Sequence, residues 1–332
     1  MGQAPARQAA MGAGIPSESG ATTINKMCGS GMKSIMFGHD SIKAQQNNIV
    51  VAGGLENMTN APYILSKARK GFRMGHADVK DHMFLDGLED AYEEGKLMGS
   101  FAEDTAEHYQ FTREQQDNFA ITSLERAKKA NEDGTFDSEI VPIKVSNRKN
   151  EIIINKDEQP FKSDITKIPT LKPAFKKNGT VTAANSSSIS DGASSVILML
   201  ESEAQKRAIK PLARIINHST NSQEPKWFTT APGKAIEKIL KIAKMTKNDI
   251  DIWEINEAFS AVAMAAIEDF ELDDSMVNIY GGAVALGHPI GASGARILTT
   301  LLTALDKKNK NIGLATLCIG GGEASAMIIE KL

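Results

Sequence analysis

Two glycine-rich turns near opposite ends of the chain are copies of one another, and this repeat constrains the fold more than any other feature. Residues 28–33 read Cys-Gly-Ser-Gly-Met-Lys, and residues 291–296 read Gly-Ala-Ser-Gly-Ala-Arg. After each turn comes an apolar helical segment, and then an apolar strand that follows Asn48 or Asn311. The equal spacing predicts two copies of one strand–turn–helix–strand unit. Strands and helices that alternate in this way predict an α/β fold with buried sheets.

The hydrophobic pattern places further elements along the chain. Thr112 and Gln115 form a capping box, which predicts a helix from Arg113 to about residue 131. The continuous apolar run at 48–54 is typical of a strand buried on both faces. Other helices are predicted at 34–44, 101–108, 235–245, 260–270 and 297–302. Other strands are predicted at 22–26, 196–200, 214–216, 250–255, 277–280, 312–317 and 326–329.

Composition removes several classes of protein. The chain has 332 residues and a net charge of −3, without a cluster of basic residues interleaved with aromatics, so we expect no nucleic-acid partner. It has no run of eighteen apolar residues and no hydrophobic signal core, so we expect no membrane span. Its two cysteines fit a reducing compartment better than a disulfide scaffold, which favours a cytoplasmic location.

Four polar side chains stand where predicted strands end. Cys28 opens a helix, where the helix dipole and free amides favour a thiolate. Cys318 precedes three glycines whose amides could face an oxyanion, and His288 could act as a base toward a thiol. Asn256 could orient a water molecule. Each has an ordinary structural alternative, since free cysteines are often inert core residues and asparagine often caps helices. Together they indicate a nucleophilic site.

Four motifs carry a family resemblance. Residues 25–31, 256–259, 287–291 and 318–322 resemble the four active-site motifs of thiolases, and of acetyl-CoA acetyltransferases in particular. The resemblance runs from residue 2 to the C-terminus. It implies an α/β fold of two related units, each a mixed five-stranded sheet with helices, plus an inserted loop domain. The implied domains are 1–57 with 190–208, a loop domain at 58–189, and 209–332.

The resemblance also implies a role for each active-site residue. Cys28 would be the acylated nucleophile and His288 would take its proton. Cys318 would remove the α-proton of a second acetyl-CoA, while His288 and a water on Asn256 bind the enolate oxygen. The amides of Cys28 and Gly320 would bind the thioester oxygen. This Claisen chemistry needs no metal or redox cofactor. Related ketoacyl synthases look like Cys-His-His enzymes, so a cysteine at position 318 argues against that class.

In the family the loop domain binds coenzyme A. The resemblance therefore implies that coenzyme A or its acyl group contacts Ser187, Met98, Phe259, Ala183 and Lys162. The expected partners are acetyl-CoA, acetoacetyl-CoA and coenzyme A, and the expected assembly is a homotetramer or homodimer. A place in fatty acid metabolism follows from the same resemblance. The alternatives are a thiolase for longer 3-ketoacyl-CoA esters and an inactive truncated remnant that binds coenzyme A.

The start of the sequence departs from the family pattern. Residues 2–8, Gly-Gln-Ala-Pro-Ala-Arg-Gln, open the chain, whereas the family carries about 60 residues before this stretch, the size of a strand–helix–strand segment. We expect that without this segment the strand predicted at 22–26 has no neighbours and its backbone groups stay unpaired. On this expectation Met1 is either an internal methionine or the start of a truncated chain that folds poorly or is inactive.

Overall fold

The structure is a computed structural model that describes residues 2–146 and 150–332, so Met1 lies outside the described residues. Its α-helices are α1 (Pro5–Gly12), α2 (Ser30–Lys43), α3 (Met98–His108), α4 (Arg113–Glu132), α5 (Gln159–Lys162), α6 (Glu201–Lys206), α7 (Ala231–Ala243), α8 (Ser260–Phe270), α9 (Ala283–Leu286) and α10 (Ile290–Lys307). Its strands are β1 (Ile49–Glu56), β2 (Tyr63–Leu65), β3 (Val79–Asp81), β4 (Ile143–Ser146), β5 (Glu151–Ile154), β6 (Gly192–Met199), β7 (Ala213–Ser222), β8 (Ile252–Ile255), β9 (Ile312–Ile319) and β10 (Glu323–Lys331). Across these ranges, no helix combines the length and apolar character needed to span a membrane.

The elements predicted before and after the second glycine turn are confirmed. Helix α8 has the predicted bounds and β9 continues to Ile319, while α10 runs from Ile290 to Lys307 and so includes part of the turn itself. The predicted capping box is present at α4, where the Thr112 hydroxyl accepts from the Gln115 amide and the Gln115 side chain accepts from the Thr112 amide. These elements were predictable because their periodicity and caps act within one segment.

The larger sheet has the strand order β7-β10-β9-β8. Strands β8 and β9 are parallel, whereas β10 pairs antiparallel with both β7 and β9. Helices α7 and α8 cover one face of this sheet through an apolar core that includes Ile236, Ile239 and Trp253. Helices α2 and α10 cover the other face through Met32, Leu301 and their neighbours. The layers are therefore helix, sheet, helix, and then a second sheet beyond α2 and α10.

That second sheet consists of β1 and β6, which pair antiparallel from Ile49–Met199 to Glu56–Gly192. Helices α2 and α10 pack against one face of it. The prediction that 48–54 is buried on both faces is wrong, because Val51 is 54% exposed and Ile197 of β6 is 64% exposed. A continuous apolar run indicates burial on both faces only where a second layer covers the outer face, and among the described residues Val51 and Ile197 lack one.

Residues 22–26 are extended and, as expected, pair with no neighbouring strand within the described residues, and the Lys26 amide donates to Ser30 Oγ instead. Two other predictions about strands are wrong. Residues 277–280 contain a single bridge from Val277 to Trp253, and Asn278 then turns with φ of 46°. Within the described residues the two main sheets consequently have two and four strands rather than five each. Apolar β-branched runs show extended backbone, but not whether a partner strand is alongside.

Helices α2 and α10 touch through backbone atoms at the two equivalent glycines of the repeat. A Cβ on Gly31 would lie 2.7 Å from the Ala295 amide nitrogen, and one on Gly294 would lie 2.5 Å from the Met32 amide nitrogen. Since real Cβ atoms do not approach so closely, only glycine permits the observed spacing. The repeated glycines thus hold the starts of the two helices together in the middle layer.

Replacing Gly31 by alanine should separate the two helices. We expect Gly31→Ala to lower the free energy of unfolding by about 2–3 kcal/mol, because the new methyl group meets backbone rather than a movable side chain. Gly12→Ala is the matched control, since a Cβ there meets no atom within 4 Å. Urea unfolding followed by circular dichroism measures both variants. Equal stabilities of the two variants would contradict the close-contact explanation.

Candidate active site

Cys28 lies in a single 3₁₀ turn, Met27–Gly29, which leads directly into α2. The backbone amides of Gly320 and of Cys28 itself lie beside its sulfur, and both lower the thiol pKa. Burial has the larger effect and raises the pKa of Cys28 to about 11. The sequence-based expectation of a thiolate favoured by the helix start is therefore wrong for the resting site. Because the thiol is protonated near neutral pH, its reaction needs a base.

Cys318 lies one residue before the end of β9, and the turn Gly320–Gly322 connects β9 to β10. Gly321 and Gly322 both have φ of 88°, a conformation that favours glycine. Cys318 is buried, which raises its pKa well above the ordinary value, and the neighbouring Cys28 raises it further. The structure therefore brings Cys28, Cys318 and the Gly320 amide together, as the sequence motifs predicted.

His288 is a neutral imidazole with one nitrogen free to accept a proton. Ser293 Oγ donates to the Pro289 carbonyl at 3.0 Å and lies 2.5 Å from His288 Nδ1, so Nδ1 carries the hydrogen and donates to Ser293. His288 Nε2 is buried and has no hydrogen-bond partner in the protein. Burial lowers the pKa of His288 to about 4, and the nearby Arg296 cation lowers it too. The lone pair on Nε2 is thus available to a reacting group.

Asn256 follows β8, and its side chain is buried with neither amide atom bonded to the protein. Its backbone amide donates to the Thr316 carbonyl at 3.0 Å, two residues before Cys318. A buried carboxamide with both ends unpaired costs free energy unless another molecule binds it. The arrangement suits a bound water molecule or a polar group of a substrate.

Residues 186–188 form hydrogen bonds both to the turn after Asn256 and to the turn that carries His288. Ser187 donates from its amide and its hydroxyl to the Ala258 carbonyl, at 3.0 and 2.9 Å. The Ser188 carbonyl accepts from the His288 amide at 3.2 Å. Two strand-end turns that are distant in sequence are therefore held by one short segment, and the predicted residue Ser187 lies within it.

Two other predicted residues share an apolar cluster with Cys318. Met98, the first residue of α3, and Phe259, which precedes α8, pack with Phe101, Phe228 and Cys318. The Phe175 ring meets the Phe259 ring edge to face at 6.1 Å. This cluster forms an apolar wall beside the second thiol, as an acyl or pantetheine group would require.

The last two predicted residues lie outside this cluster. Lys162 ends α5, where its ammonium group pairs with Glu158 at 3.3 Å and its side chain is 67% exposed. Ala183 is an exposed residue in the loop between Thr182 and Asn185. Their contacts to coenzyme A stay predictions.

Sequence reasoning missed three residues that hold the site in place. Glu257 accepts from Ser123 Oγ at 2.7 Å, from Asn278 Nδ2 at 2.8 Å and from the Val284 amide at 3.1 Å, so it anchors the segment before His288. Glu56 accepts from the Gly291 amide at 2.9 Å, and Ser293 fixes the histidine tautomer. The signal for Glu257 was a carboxylate directly after a predicted buried strand, and such residues are rarely buried without partners.

Comparison with known families decides what kind of site this is. Residues 1–202 match the thiolase N-terminal domain, and residues 209–331 match the thiolase C-terminal domain. The chain belongs to the thiolase family. The resemblance read from the four motifs is thereby confirmed, and so is the thiolase-like α/β fold class.

Relatives within the thiolase family cover the whole chain. A probable acetyl-CoA acetyltransferase of Dictyostelium discoideum is 49% identical over the full chain, which spans 80% of that relative. Acetyl-CoA acetyltransferase 2 of Arabidopsis thaliana is also 49% identical, with 83% of its length spanned. An Ascaris suum thiolase solved in complex with coenzyme A has a TM-score of 0.93 and 42% identity, covering 100% of this chain and 84% of that one.

The pKa of His288 makes the stability of this thiolase depend on pH. In the unfolded chain the imidazole binds a proton near pH 6.5, whereas in the folded chain it does so only near pH 4. Stability therefore falls as pH drops through this window, and His288 accounts for about 3 kcal/mol of the loss. Urea unfolding from pH 4 to 8 should show a flatter profile for His288→Asn. The exposed His76→Asn should keep the wild-type profile, and a matching flattening there would refute the assignment.

Removing the Ser293 hydroxyl should weaken His288 as a base. Ser293→Ala leaves Nδ1 without its acceptor, so the ring can place its hydrogen on Nε2 instead. We expect alkylation of Cys28 by iodoacetamide at pH 7 to slow about 10–100-fold. Mass spectrometry of the Cys28 peptide measures the rate. Thr299→Val is the control, since it removes a hydroxyl from the same helix. That hydroxyl bonds Ser194 and the Ala295 carbonyl rather than His288. Unchanged alkylation in Ser293→Ala would show that the tautomer does not matter.

Proposed function

We propose that this thiolase is an acetyl-CoA acetyltransferase, which joins two acetyl-CoA molecules into acetoacetyl-CoA and coenzyme A, or cleaves acetoacetyl-CoA in reverse. The observation that carries the proposal is the meeting of two thiols, the half-buried Cys28 and the buried Cys318, at the Gly320 amide. One thiol can hold an acyl group while the other moves a proton. The relatives named above as acetyl-CoA acetyltransferases support the choice of acetyl groups.

In the first half of the reaction, Cys28 takes the acetyl group. His288 Nε2 removes the thiol proton as the sulfur attacks the thioester carbonyl, and a carbon–sulfur bond forms. The carbonyl oxygen becomes negative and would accept from the amides of Cys28 and Gly320, which lie beside the Cys28 sulfur in the resting site. The bond to the coenzyme A sulfur then breaks, and the imidazolium returns the proton to the departing thiolate. Neutral His288 and acetyl-Cys28 remain.

In the second half, a new carbon–carbon bond forms. His288 Nε2 first takes the thiol proton of Cys318. The Cys318 thiolate then removes a proton from the methyl carbon of a second acetyl-CoA, and its raised pKa makes it a strong base for this weak acid. The protonated His288 and a water held by Asn256 bind the enolate oxygen. The enolate carbon attacks acetyl-Cys28, acetoacetyl-CoA forms and the Cys28 sulfur leaves as a thiolate. This thiolate takes the proton of the His288 imidazolium while Cys318 keeps the proton that it removed, which restores the starting state without any change in oxidation state.

Coenzyme A binding is part of the same proposal. Met98 and Phe259 form an apolar wall beside Cys318, which supports a place for the pantetheine and acyl groups there. Ser187, at the junction of the two turns, would contact the pantetheine. Lys162 and Ala183 would contact coenzyme A from the segment 58–189, which would act as the loop domain. Coenzyme A thioesters would be the only small molecules needed.

The assembly and the location belong to the proposal as well. A homodimer or homotetramer is supported by the apolar face that β1 and β6 leave exposed at Val51 and Ile197. A cytoplasmic location is supported by the unpaired thiols of Cys28 and Cys318. The proposed reaction suits a role in fatty acid metabolism.

The two cysteines should fail in different ways when each is replaced. After mixing with acetyl-CoA, the wild-type protein should carry one acetyl group on Cys28, detected by mass spectrometry of the intact chain and its peptides. Cys28→Ala should lose this adduct. Cys318→Ala should keep it but lose condensation and thiolysis by at least about 100-fold, because only the α-proton step is removed.

Two outcomes would contradict the proposal. Absence of an acetyl adduct on Cys28 in the folded protein would leave only coenzyme A binding. Thiolysis that is faster for longer 3-ketoacyl-CoA esters than for acetoacetyl-CoA would assign the chain to the long-chain class instead. The kcat/KM values for 3-ketoacyl-CoA esters of different chain lengths test the second outcome, and mass spectrometry tests the first.

A further inference from the structure

A second cluster of potential ligands lies away from the two thiols. His39 and Asp40 lie on the last turns of α2, and His218 lies on β7. His39 Nδ1 is 3.1 Å from Asp40 Oδ1 and 3.2 Å from His218 Nε2, and His218 Nε2 is 2.9 Å from Asp40 Oδ1. One potential ligand atom from each side chain therefore forms a compact triangle.

The size of this triangle matches a tetrahedral metal site. Zinc binds histidine nitrogen and carboxylate oxygen at about 2.0–2.1 Å, so ligand atoms in a tetrahedral site lie about 3.3 Å apart. The three observed separations are 2.9–3.2 Å. If the three side chains moved slightly apart, without a change in the backbone, a cation at the centre could contact all three ligand atoms.

Hydrogen bonding is the alternative explanation of the same triangle. Asp40 Oδ1 can accept one N–H from each ring, at 3.1 Å from His39 and 2.9 Å from His218. If only one ring donates to Asp40, the other ring nitrogen presents a lone pair toward the carboxylate. A cation at the centre would instead satisfy all three lone pairs at once.

The surroundings leave room for a fourth ligand. The side chains of His39 and His218 are 19% and 17% exposed, whereas Asp40 is 57% exposed. Solvent can therefore reach one side of the triangle. Three protein ligands and one open position are typical of zinc sites that keep a bound water.

We propose that His39, Asp40 and His218 bind a divalent transition-metal ion, with Zn²⁺ as the preferred ion and water as the fourth ligand. Two imidazoles and one carboxylate suit zinc better than magnesium or calcium, which prefer oxygen ligands. The ion would join the end of α2, the helix that begins just after Cys28, to β7 of the larger sheet. It would act as a structural link between the two repeated units, outside the proposed acyl-transfer reaction.

Zinc binding can be measured without any activity assay. Tag-free protein carrying Cys28→Ala and Cys318→Ala, so that no thiol competes, is titrated with Zn²⁺ against a chromophoric chelator. We expect one bound equivalent with a Kd in the micromolar range or below, and a rise in Tm of about 5 °C at 100 times Kd. Co²⁺ should give the visible bands of a tetrahedral nitrogen–oxygen site.

Variants of the ligands identify the site. His218→Gln and Asp40→Asn should each weaken binding at least about tenfold and abolish the rise in Tm. His82→Gln is the matched control, since His82 lies 3.0 Å from Asp86 without a second histidine in that pair, and it should bind zinc as before. Because Asp40 is mostly exposed, Asp40→Asn provides the test if His218→Gln does not fold. Stoichiometric binding that survives both variants, or binding only at millimolar zinc, would overturn the proposal.

Discussion

The backbone contact between α2 and α10 is the constraint on which the rest of this structure depends. Gly31 and Gly294 occupy equivalent positions in the two repeated units, and each allows the other helix to approach to backbone distance. Each helix starts just after a reactive side chain, Cys28 for α2 and His288 for α10. The same contact that packs the middle layer therefore directs both helix starts, with their reactive groups, toward one end of the molecule. Duplication of one unit yields a site that neither copy contains alone.

Burial sets the resting charge of the site. Exclusion from water raises the pKa values of Cys28 and Cys318 and lowers that of His288, so each group is favoured in its neutral form. Charge that develops during a reaction would then meet fixed amides and Asn256 rather than mobile solvent. Such preorganised dipoles stabilise a transition state more than the same groups in water do. The cost is that the nucleophile needs a base before it can react.

Local patterns carried most of what the sequence could predict. The thiols, the histidine and the asparagine were identified because each stands beside glycines or at a strand-end turn, and the family motifs span single segments. The single bridge at Val277 was misjudged because strand pairing depends on neighbours far along the chain. Glu257 escaped notice for the same reason, since its partners Ser123 and Val284 lie in other segments of the chain. Ser293 lies only five residues from His288, and its role depends on the exact path of that turn.

The apolar wall formed by Met98 and Phe259 also encloses the sulfur of Cys318. The same side chains would thus set the space available to an acyl chain and the dryness that raises the pKa of Cys318. A substitution that widens the pocket for bulkier substrates would admit water to the sulfur and make its thiolate a weaker base. Substrate range and reactivity are therefore coupled through one surface. A variant with altered selectivity would have to replace one apolar side chain of the wall by another of different shape, so that water stays excluded from the Cys318 sulfur.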